Sequence, residues 1–151
     1  MANRPSSDYP DIGTLGEDLV TQWLESTGWL ILHRRWNCRW GEIDIIAQRE
    51  DNLGTVILIF VEVKTRSTGS WDAGGRMAIA LPKQIKLSRT AAMFLATFPE
   101  KADYSCRFDV AIVCCERKIT LSNSLASLSA QGLYLMLQEY IPAAFEYLID
   151  N

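Results

Sequence analysis

Two apolar runs decide the fold of this chain: residues 55–65, Thr-Val-Ile-Leu-Ile-Phe-Val-Glu-Val-Lys-Thr, and residues 41–46, Gly-Glu-Ile-Asp-Ile-Ile. The first is rich in β-branched residues and apolar at consecutive positions, which predicts a central strand covered on both faces. The second is shorter and predicts a neighbouring strand. Charged residues interrupt both runs at Asp44, Glu62 and Lys64. Because burying unpaired charges is costly, these three residues are the first candidates for a site.

Further elements follow on either side of these runs. The pattern predicts a helix from Thr14, as its N-cap, to Gly28, and a second helix over residues 82–98. Further strands are predicted at residues 29–33, 107–115 and 118–121, a basic aromatic turn at residues 34–40, and a final helical segment at residues 131–149. The order α-β-β-β-α-β indicates an α/β fold with a mixed β-sheet flanked by helices. Residues 1–11 are predicted to be a flexible leader, and residues 12–151 a single domain.

Composition favours a soluble, compact protein. The chain has 151 residues, 48% of them hydrophobic and 22% charged, which is typical of one globular domain. No apolar run is long enough to cross a bilayer, so we expect a cytoplasmic protein with no membrane association. The four cysteines form no Cys-x-x-Cys pair and the chain has one histidine, which argues against a zinc site and for reduced thiols.

Basic residues are concentrated in the middle of an acidic chain. The net charge is −3, yet residues 33–107 hold twelve basic and eight acidic side chains, a local charge of +4. Arg34, Arg35 and Arg39 alternate with tryptophans in this segment and are candidate phosphate contacts, with a tryptophan available to stack on an exposed base. The alternative is that the tryptophans cap the core and the arginines lie in water.

Alternation along strands brings the charged residues together. Glu42 and Asp44 are predicted to share one face of their strand, as are Glu62 and Lys64, with Ile43 and Ile45 on the opposite face. Helical phasing places Glu17 at the edge of the apolar face of the first helix, where it could join them. Lys64 neutralises one carboxylate, so either another carboxylate is protonated or a cation binds. Clustered carboxylates suit Mg²⁺ or Mn²⁺.

Two carboxylates beside a lysine, as in Asp44, Glu62 and Lys64, are suited to metal-assisted hydrolysis of a phosphodiester. The carboxylates would hold the metal, and the lysine would orient a water molecule or stabilise charge on the phosphate. On chemistry alone, a structural salt-bridge cluster is an equal alternative.

Several strings resemble a known family. They are Gly16-Glu17, Gly41-Glu42-Ile43-Asp44, Phe60-Val61-Glu62-Val63-Lys64-Thr65-Arg66, Lys83 and Arg107-Phe108-Asp109-Val110. Together they resemble the YraN-like family, which is grouped with Holliday-junction-resolvase-like nucleases of the restriction-endonuclease-like, PD-(D/E)xK fold. Ile43 stands where the nominal motif has proline. Residues 140–145 are similar to the closing helix of the family.

The resemblance implies a role for each matched position. It implies that Asp44, Glu62 and Lys64 are catalytic, that Glu17 is a further helix-borne acid, and that Asp44, Glu62 and Glu17 bind metal. Lys83 and Gln84 would reach the site from the second helix, after a loop with Gly69, Gly74 and Gly75 that could close on substrate. Arg66 would meet a phosphate.

The resulting hypothesis is a metal-dependent endonuclease acting on DNA, on branched or other non-standard structures. A homodimer would suit a junction-like substrate. The alternatives are a non-catalytic nucleic-acid-binding protein that retains the nuclease fold, and a structural ion-pair cluster in a protein that serves a protein partner.

Overall fold

The computed structural model describes residues 11–67, 79–118 and 123–147. Within these ranges the chain forms two α-helices, a short 3-10 turn at Pro99–Lys101 and six strands. The helices are α1 (Ile12–Ser26) and α2 (Leu81–Thr97), and the strands are β1 (Leu30–Cys38), β2 (Gly41–Glu50), β3 (Val56–Ser67), β4 (Ser105–Glu116), β5 (Ala126–Ala130) and β6 (Leu133–Phe145).

The strands form one mixed sheet in the order β1-β2-β3-β4-β6-β5. β3 and β4 are parallel, and the other neighbouring pairs are antiparallel. Parallel strands require a crossover connection, and α2 lies in the one between β3 and β4. α1 packs on one face of the sheet and α2 on the other. The predicted α/β class, with a mixed sheet flanked by helices, is confirmed.

β3 is the central strand that its sequence predicts. Ile59 and Val61 belong to the hydrophobic cluster under α1, whereas Leu58 and Phe60 belong to the cluster under α2. All four side chains are at most 2% exposed. A strand buried on both faces has no solvated side on which to place a charge, so Glu62 and Lys64 can reach water only near the end of the strand.

The N-cap of α1 lies three residues before the predicted one, Thr14. Asp11 is the cap, and its carboxylate accepts hydrogen bonds from the backbone N–H of Thr14 at 3.1 Å and from its hydroxyl at 2.8 Å. The helix ends before Gly28, as predicted, since Gly28 has a φ of +99° that other residues rarely adopt.

The predicted turn at residues 34–40 is wrong for most of its length. β1 continues to Cys38, and the turn is confined to Arg39 and Trp40. Arg35 explains the difference: its φ of +54° breaks the alternation of side chains without ending the strand. As a result His33 and Trp36, three residues apart, both contact the ring of Phe94.

β2, which pairs with β1, shows the same break in the alternation of its side chains. Ile43 and Ile46, also three residues apart, both pack under α2, whereas Ile45 packs under α1. The prediction that Ile43 and Ile45 share a face is therefore wrong. The break falls at Asp44, which lies between them and therefore need not follow the regular alternation of the strand.

The predicted helix at residues 131–149 is wrong. Residues 133–145 form β6, which pairs with β4 and with β5. Leu135 and Leu137 are buried at a spacing of two, which satisfies a strand rather than a helix. The likeness of residues 140–145 to a closing helix is wrong for the same reason. Of the predicted strand at residues 118–121, Lys118 lies in a bend and the rest is outside the described residues; β5 lies later in the chain.

A buried aspartate holds the end of β6. Asp109 is 0% exposed and accepts hydrogen bonds from Arg107 at 2.8 and 3.0 Å, from the Tyr140 hydroxyl at 2.5 Å and from the backbone N–H of Ala143 at 2.9 Å. Burial and the Asp109 charge raise the pKa of Tyr140, which keeps its hydroxyl protonated as a donor. The pairing of Asp109 with Arg107, two residues earlier on β4, thus helps to fix the irregular part of β6.

Neither helix in the described ranges is long and apolar enough to cross a membrane. Apart from Asp11, the predicted leader lies outside the described residues, as does the loop that contains Gly69, Gly74 and Gly75.

Candidate active site

The site lies where β2 and β3 stop pairing. Their ladder ends at Ile45 and Val61, so the next residues in register, Asp44 and Glu62, face each other beyond the last pair. There the Val63 N–H donates to Oδ2 of Asp44 at 2.7 Å. A side chain thus accepts the hydrogen bond that a neighbouring strand would otherwise accept, and the two largely buried carboxylates lie where the strands separate.

Two lysines from different elements converge on Glu62. Nζ of Lys64, two residues along β3, and Nζ of Lys83, in the first turn of α2, each lie 3.6 Å from its Oε1. The Glu62 side chain is only 10% exposed, so these contacts compensate a charge that is largely removed from water. The structure thus places both Lys64 and Lys83 beside Glu62.

Glu17 approaches from the other side of the sheet and is bound by arginines of β1. Nε of Arg35 donates to Oε1 of Glu17 at 2.8 Å, and a second nitrogen of Arg35 donates to the Thr14 hydroxyl. Arg34 forms a 2.9 Å ion pair with Asp18 and lies 3.8 Å from Glu17. Adjacent residues of a regular strand point to opposite faces; the left-handed backbone at Arg35 allows both arginines to reach α1.

A close contact sets the distance between α1 and β3. A Cβ added to Gly16 would lie 2.1 Å from Oγ1 of Thr65, well inside van der Waals contact. The same hydroxyl is buried and, within the described part of the chain, has no hydrogen-bond partner. Glycine at position 16 therefore allows the helix that carries Glu17 to pack directly against the strand that carries Glu62.

These elements line a pocket of about 290 Å³ that opens to solvent. Its walls come from the start of α1, from Asp44 and from the end of β3, and they are formed by Ile12, Gly13, Glu17, Asp44, Glu62, Val63, Lys64, Thr65 and Arg66. Four of the predicted site residues, Glu17, Asp44, Glu62 and Lys64, therefore line one cavity, together with Arg66. Lys83 reaches it through Glu62.

Asp44 is the electrostatically unusual member of the site. Burial first, and then the nearby charge of Glu62, raise its pKa to about 7, although the Val63 N–H and the charge of Lys83 act in the opposite direction. The lysines lie closest to Glu62 and the arginines to Glu17, so Asp44 is left with a backbone N–H as its hydrogen-bond partner. Asp44 is therefore the carboxylate of the pocket that no lysine or arginine pairs with in the described part of the chain.

This donor set fits a hydrated divalent cation. Mg²⁺ is commonly held by one or two carboxylates and keeps several water molecules, and Asp44 and Glu62 supply two such carboxylates. Among the described residues, no group of three or more His, Cys, Asp or Glu side chains is arranged to bind a metal. Glu17 as a third ligand stays a prediction, because it would have to exchange its bond with Arg35 for the metal.

Sequence comparisons assign the chain to a family. The model of the uncharacterised protein family UPF0102 matches residues 16–113, about two thirds of the chain. The chain belongs to UPF0102.

The UPF0102 relatives match along nearly their whole length. A UPF0102 protein of Trichormus variabilis is 57% identical over 147 residues, covering 93% of this chain and 97% of its own. A UPF0102 protein of Nostoc sp. is 60% identical over 140 residues, covering 92% of this chain and 96% of its own. A UPF0102 protein of Trichodesmium erythraeum is 43% identical over 164 residues, covering 93% of this chain and 91% of its own. The resemblance to the YraN-like family, which is UPF0102, is confirmed.

The segment that matches UPF0102 contains the whole pocket except for its first residues, Ile12 and Gly13. It begins at Gly16 and ends within β4, and it includes Glu17, Asp44, Glu62 and Lys64. β5 and β6 lie beyond its end. The part of the chain that defines the family is thus the part that builds the site.

The residues predicted to bind nucleic acid do not form one surface with the same kind of contacts: some are paired with acids, one supports a helix and one lies over an aromatic ring. Arg34 and Arg35 are engaged by acids of α1, although the Arg35 side chain is 45% exposed. Gln84 donates to the carbonyl of Ile79 at 2.7 Å and so holds the start of α2 rather than the pocket. Arg39 lies over the ring of Trp40, 4.9 Å from its centroid. Nucleic-acid binding by Arg34, Arg35, Arg39, Arg66, Lys83 and Gln84 stays a prediction.

Two features of the site were missed from sequence. One is the Gly16–Thr65 contact, for which no signal exists in the local pattern. The other is the contact of Arg89 of α2 with Trp40, whose ring centroid lies 4.9 Å from the guanidinium group. Its signal was available: α2 carries three basic residues and no acidic one over 17 residues.

Proposed function

We propose that the protein is a metal-dependent endonuclease that hydrolyses DNA phosphodiester bonds in this pocket. The observation that carries the proposal is the pairing of Asp44, whose carboxylate has no matching cation, with Glu62 and Lys64 in one open cavity. An enclosed structural ion-pair cluster would balance its charges and would have no need of an opening to solvent.

The proposed roles follow from the positions of the side chains. Asp44 and Glu62 would hold Mg²⁺ or Mn²⁺, with Glu17 able to join if Arg35 releases it. When bound, the metal would supply Lewis acidity and activate a water molecule. Lys64, beside Glu62, would orient that water or stabilise charge on the phosphate. Arg66, on the pocket wall, would bind the phosphate group.

We further propose that the fold is a restriction-endonuclease-like core. The element order, the mixed sheet and the helices on both faces support this assignment. Two further features support it, namely the acid on the first helix and the acid-x-Lys sequence on the central strand. DNA as substrate, a cytoplasmic location and a homodimer on branched DNA belong to the same proposal.

A non-catalytic nucleic-acid-binding protein is the second candidate. It is favoured by one observation: two lysines already contact Glu62, and the described residues contain no three-ligand metal group. A pure binding protein would retain affinity for DNA and would show no metal-dependent cleavage.

Cleavage assays separate these functions. Purified protein would be incubated with junction, flap, single-stranded and duplex DNA at pH 8, with Mg²⁺, Mn²⁺ or EDTA. We expect cleavage that requires metal and falls roughly 100-fold or more in Asp44→Asn, Glu62→Gln and Lys64→Met. Glu42→Gln is the matched control, because Glu42 is an exposed acid on the same strand as Asp44.

Two results would contradict the nuclease proposal. Cleavage that persists equally in Glu62→Gln would identify a contaminating enzyme. DNA binding without metal-dependent cleavage on all four substrates would favour the binding protein instead.

A further inference from the structure

An exposed tryptophan lies between two arginines at the tip of the β1–β2 hairpin. Trp40 is 37% exposed, and the guanidinium groups of Arg39 and Arg89 each lie 4.9 Å from its ring centroid. Arg39 comes from the hairpin itself and Arg89 from α2. A Cβ added to Gly41 would lie 3.2 Å from Oγ1 of Thr90, so the hairpin rests closely on the helix beside Arg89.

The basic residues of α2 connect this tryptophan to the pocket. Lys83, Lys86 and Arg89 follow one another at intervals of three and therefore lie along one side of the helix. The rise from the first to the last is about 9 Å. Lys83 contacts Glu62 at one end of this row, and Arg89 contacts Trp40 at the other.

The charges of this surface are suited to an anion. Two guanidinium groups gather on one ring, where their charges repel each other. α2 adds Lys83, which contacts Glu62, and Lys86, and the helix has no acidic residue of its own. Phosphates along the row would be attracted by these guanidinium and ammonium groups, and an unpaired base would take the place of the exposed Arg39 side chain on the Trp40 ring.

We infer that Arg39, Trp40, Lys86 and Arg89, called here the Trp40 surface, bind a single-stranded segment of nucleic acid next to the cleavage pocket. An unpaired base stacks on Trp40, and the adjoining phosphates lie along Lys86 and Arg89 towards Lys83. In a duplex the base faces are covered by neighbouring pairs, so a stacking platform selects unpaired bases. This inference rests on the proposed function, and it specifies the substrate as DNA with an unpaired segment beside the scissile phosphate.

Binding can be measured apart from cleavage. Fluorescence anisotropy in EDTA, with Glu62→Gln as the background protein, would compare a labelled thymidine oligonucleotide with a duplex of equal length. Trp40→Ala should weaken binding of the single strand about 5- to 100-fold and binding of the duplex by less than about twofold. Trp40→Phe, which keeps an aromatic face, should retain most of the affinity for the single strand.

A matched arginine variant tests the basic row. Arg89→Gln should lower the salt dependence of single-strand binding by about 0.7 in the log–log slope. Arg49→Gln is the control, since Arg49 also lies over a tryptophan, Trp29, at 4.2 Å, but near the opposite end of β2 from Asp44. It should leave the slope unchanged. Thermal unfolding of each variant would verify that it is folded.

The outcomes distinguish this inference from the nuclease proposal. Unchanged single-strand binding in Trp40→Ala, or an equal loss on single strand and duplex, would overturn the stacking surface. Stacking-dependent binding without metal-dependent cleavage would overturn the nuclease and leave the surface in place.

Discussion

Replacing Asp44 by asparagine should make the protein more stable at pH 8 and should have about a third of that effect at pH 5. In the folded protein the pKa of Asp44 is raised to about 7, whereas an aspartate in an unfolded chain titrates near 3.9. Between these values the folded state holds a proton that the unfolded state releases. The free energy of unfolding therefore falls as the pH rises through this window and levels off above about 7.

The size of the effect follows from the shift. Three pKa units correspond to about 4 kcal/mol at most. Asp44 is only partly buried and shares its field with Glu62, so we expect about half of this value, roughly 2 kcal/mol. Asparagine cannot ionise, yet its Oδ1 can still accept the Val63 N–H. For a chain of this length, a gain of that size raises the melting temperature by about 4–8 °C.

Thermal unfolding followed by circular dichroism at pH 5 and pH 8 measures this difference directly. Glu42→Gln, which removes an exposed acid from the same strand, should shift both melting temperatures little. At pH 8, Mg²⁺ at ten times its dissociation constant should stabilise the wild type by about 1.4 kcal/mol and leave Asp44→Asn unchanged. An Asp44→Asn effect that is the same at both pH values would refute the reasoning.

Three further predictions test the framework around the site by urea unfolding. Gly16→Ala should lower the free energy of unfolding by about 1–3 kcal/mol, because the added Cβ meets Thr65. Adding Thr65→Ala should recover part of that loss, and strictly additive losses in the double variant would exclude the contact. Arg35→Ala and Arg35→Gly both lose the ion pair with Glu17, but only glycine tolerates the φ of +54°. The alanine variant should therefore be less stable than the glycine variant by about 1 kcal/mol. Equal stability of the two variants would mean that this backbone is unstrained. Asp109→Ala should cost about 3–5 kcal/mol, because it removes the shared acceptor of a buried network, and a loss below about 1 kcal/mol would show that the network contributes little.

The core of the site could be predicted because it depends on local periodicity. Charges inside an apolar run identified Asp44, Glu62 and Lys64, and helical phasing placed Glu17 at the inward edge of α1, from which it lines the same pocket. Both rules use only neighbouring residues. The charge count from sequence included only Lys64 among the basic residues, whereas Lys83, Arg34 and Arg35 also contact these carboxylates. Only the structure shows that Asp44 has none of them as an ion-pair partner.

Features that depend on contacts between distant residues could not be predicted. The left-handed backbone at Arg35 is not favoured by arginine itself; it is held where Arg35 reaches Glu17 and Thr14. The close packing of α1 on β3 is likewise set by tertiary structure.

β6 shows how pairing overrides local preference. Its Leu, Met, Gln and Glu residues have high helix propensity, and that preference produced the wrong helix. Leu135, Met136 and Leu137 are all buried in the sheet, and hydrogen bonding to β4 and β5 on either side outweighs the propensity.

Whether Asp44 and Glu62 share one divalent cation is measured most directly by calorimetric titration with Mn²⁺ at pH 8, where Asp44 is ionised. We predict one site in the wild type and in Glu42→Gln, and none in Asp44→Asn or Glu62→Gln. Glu17→Gln should weaken binding less than either, since Arg35 holds that carboxylate. Equal Mn²⁺ binding by the wild type and Asp44→Asn, or none by either protein, would contradict the proposed metal site.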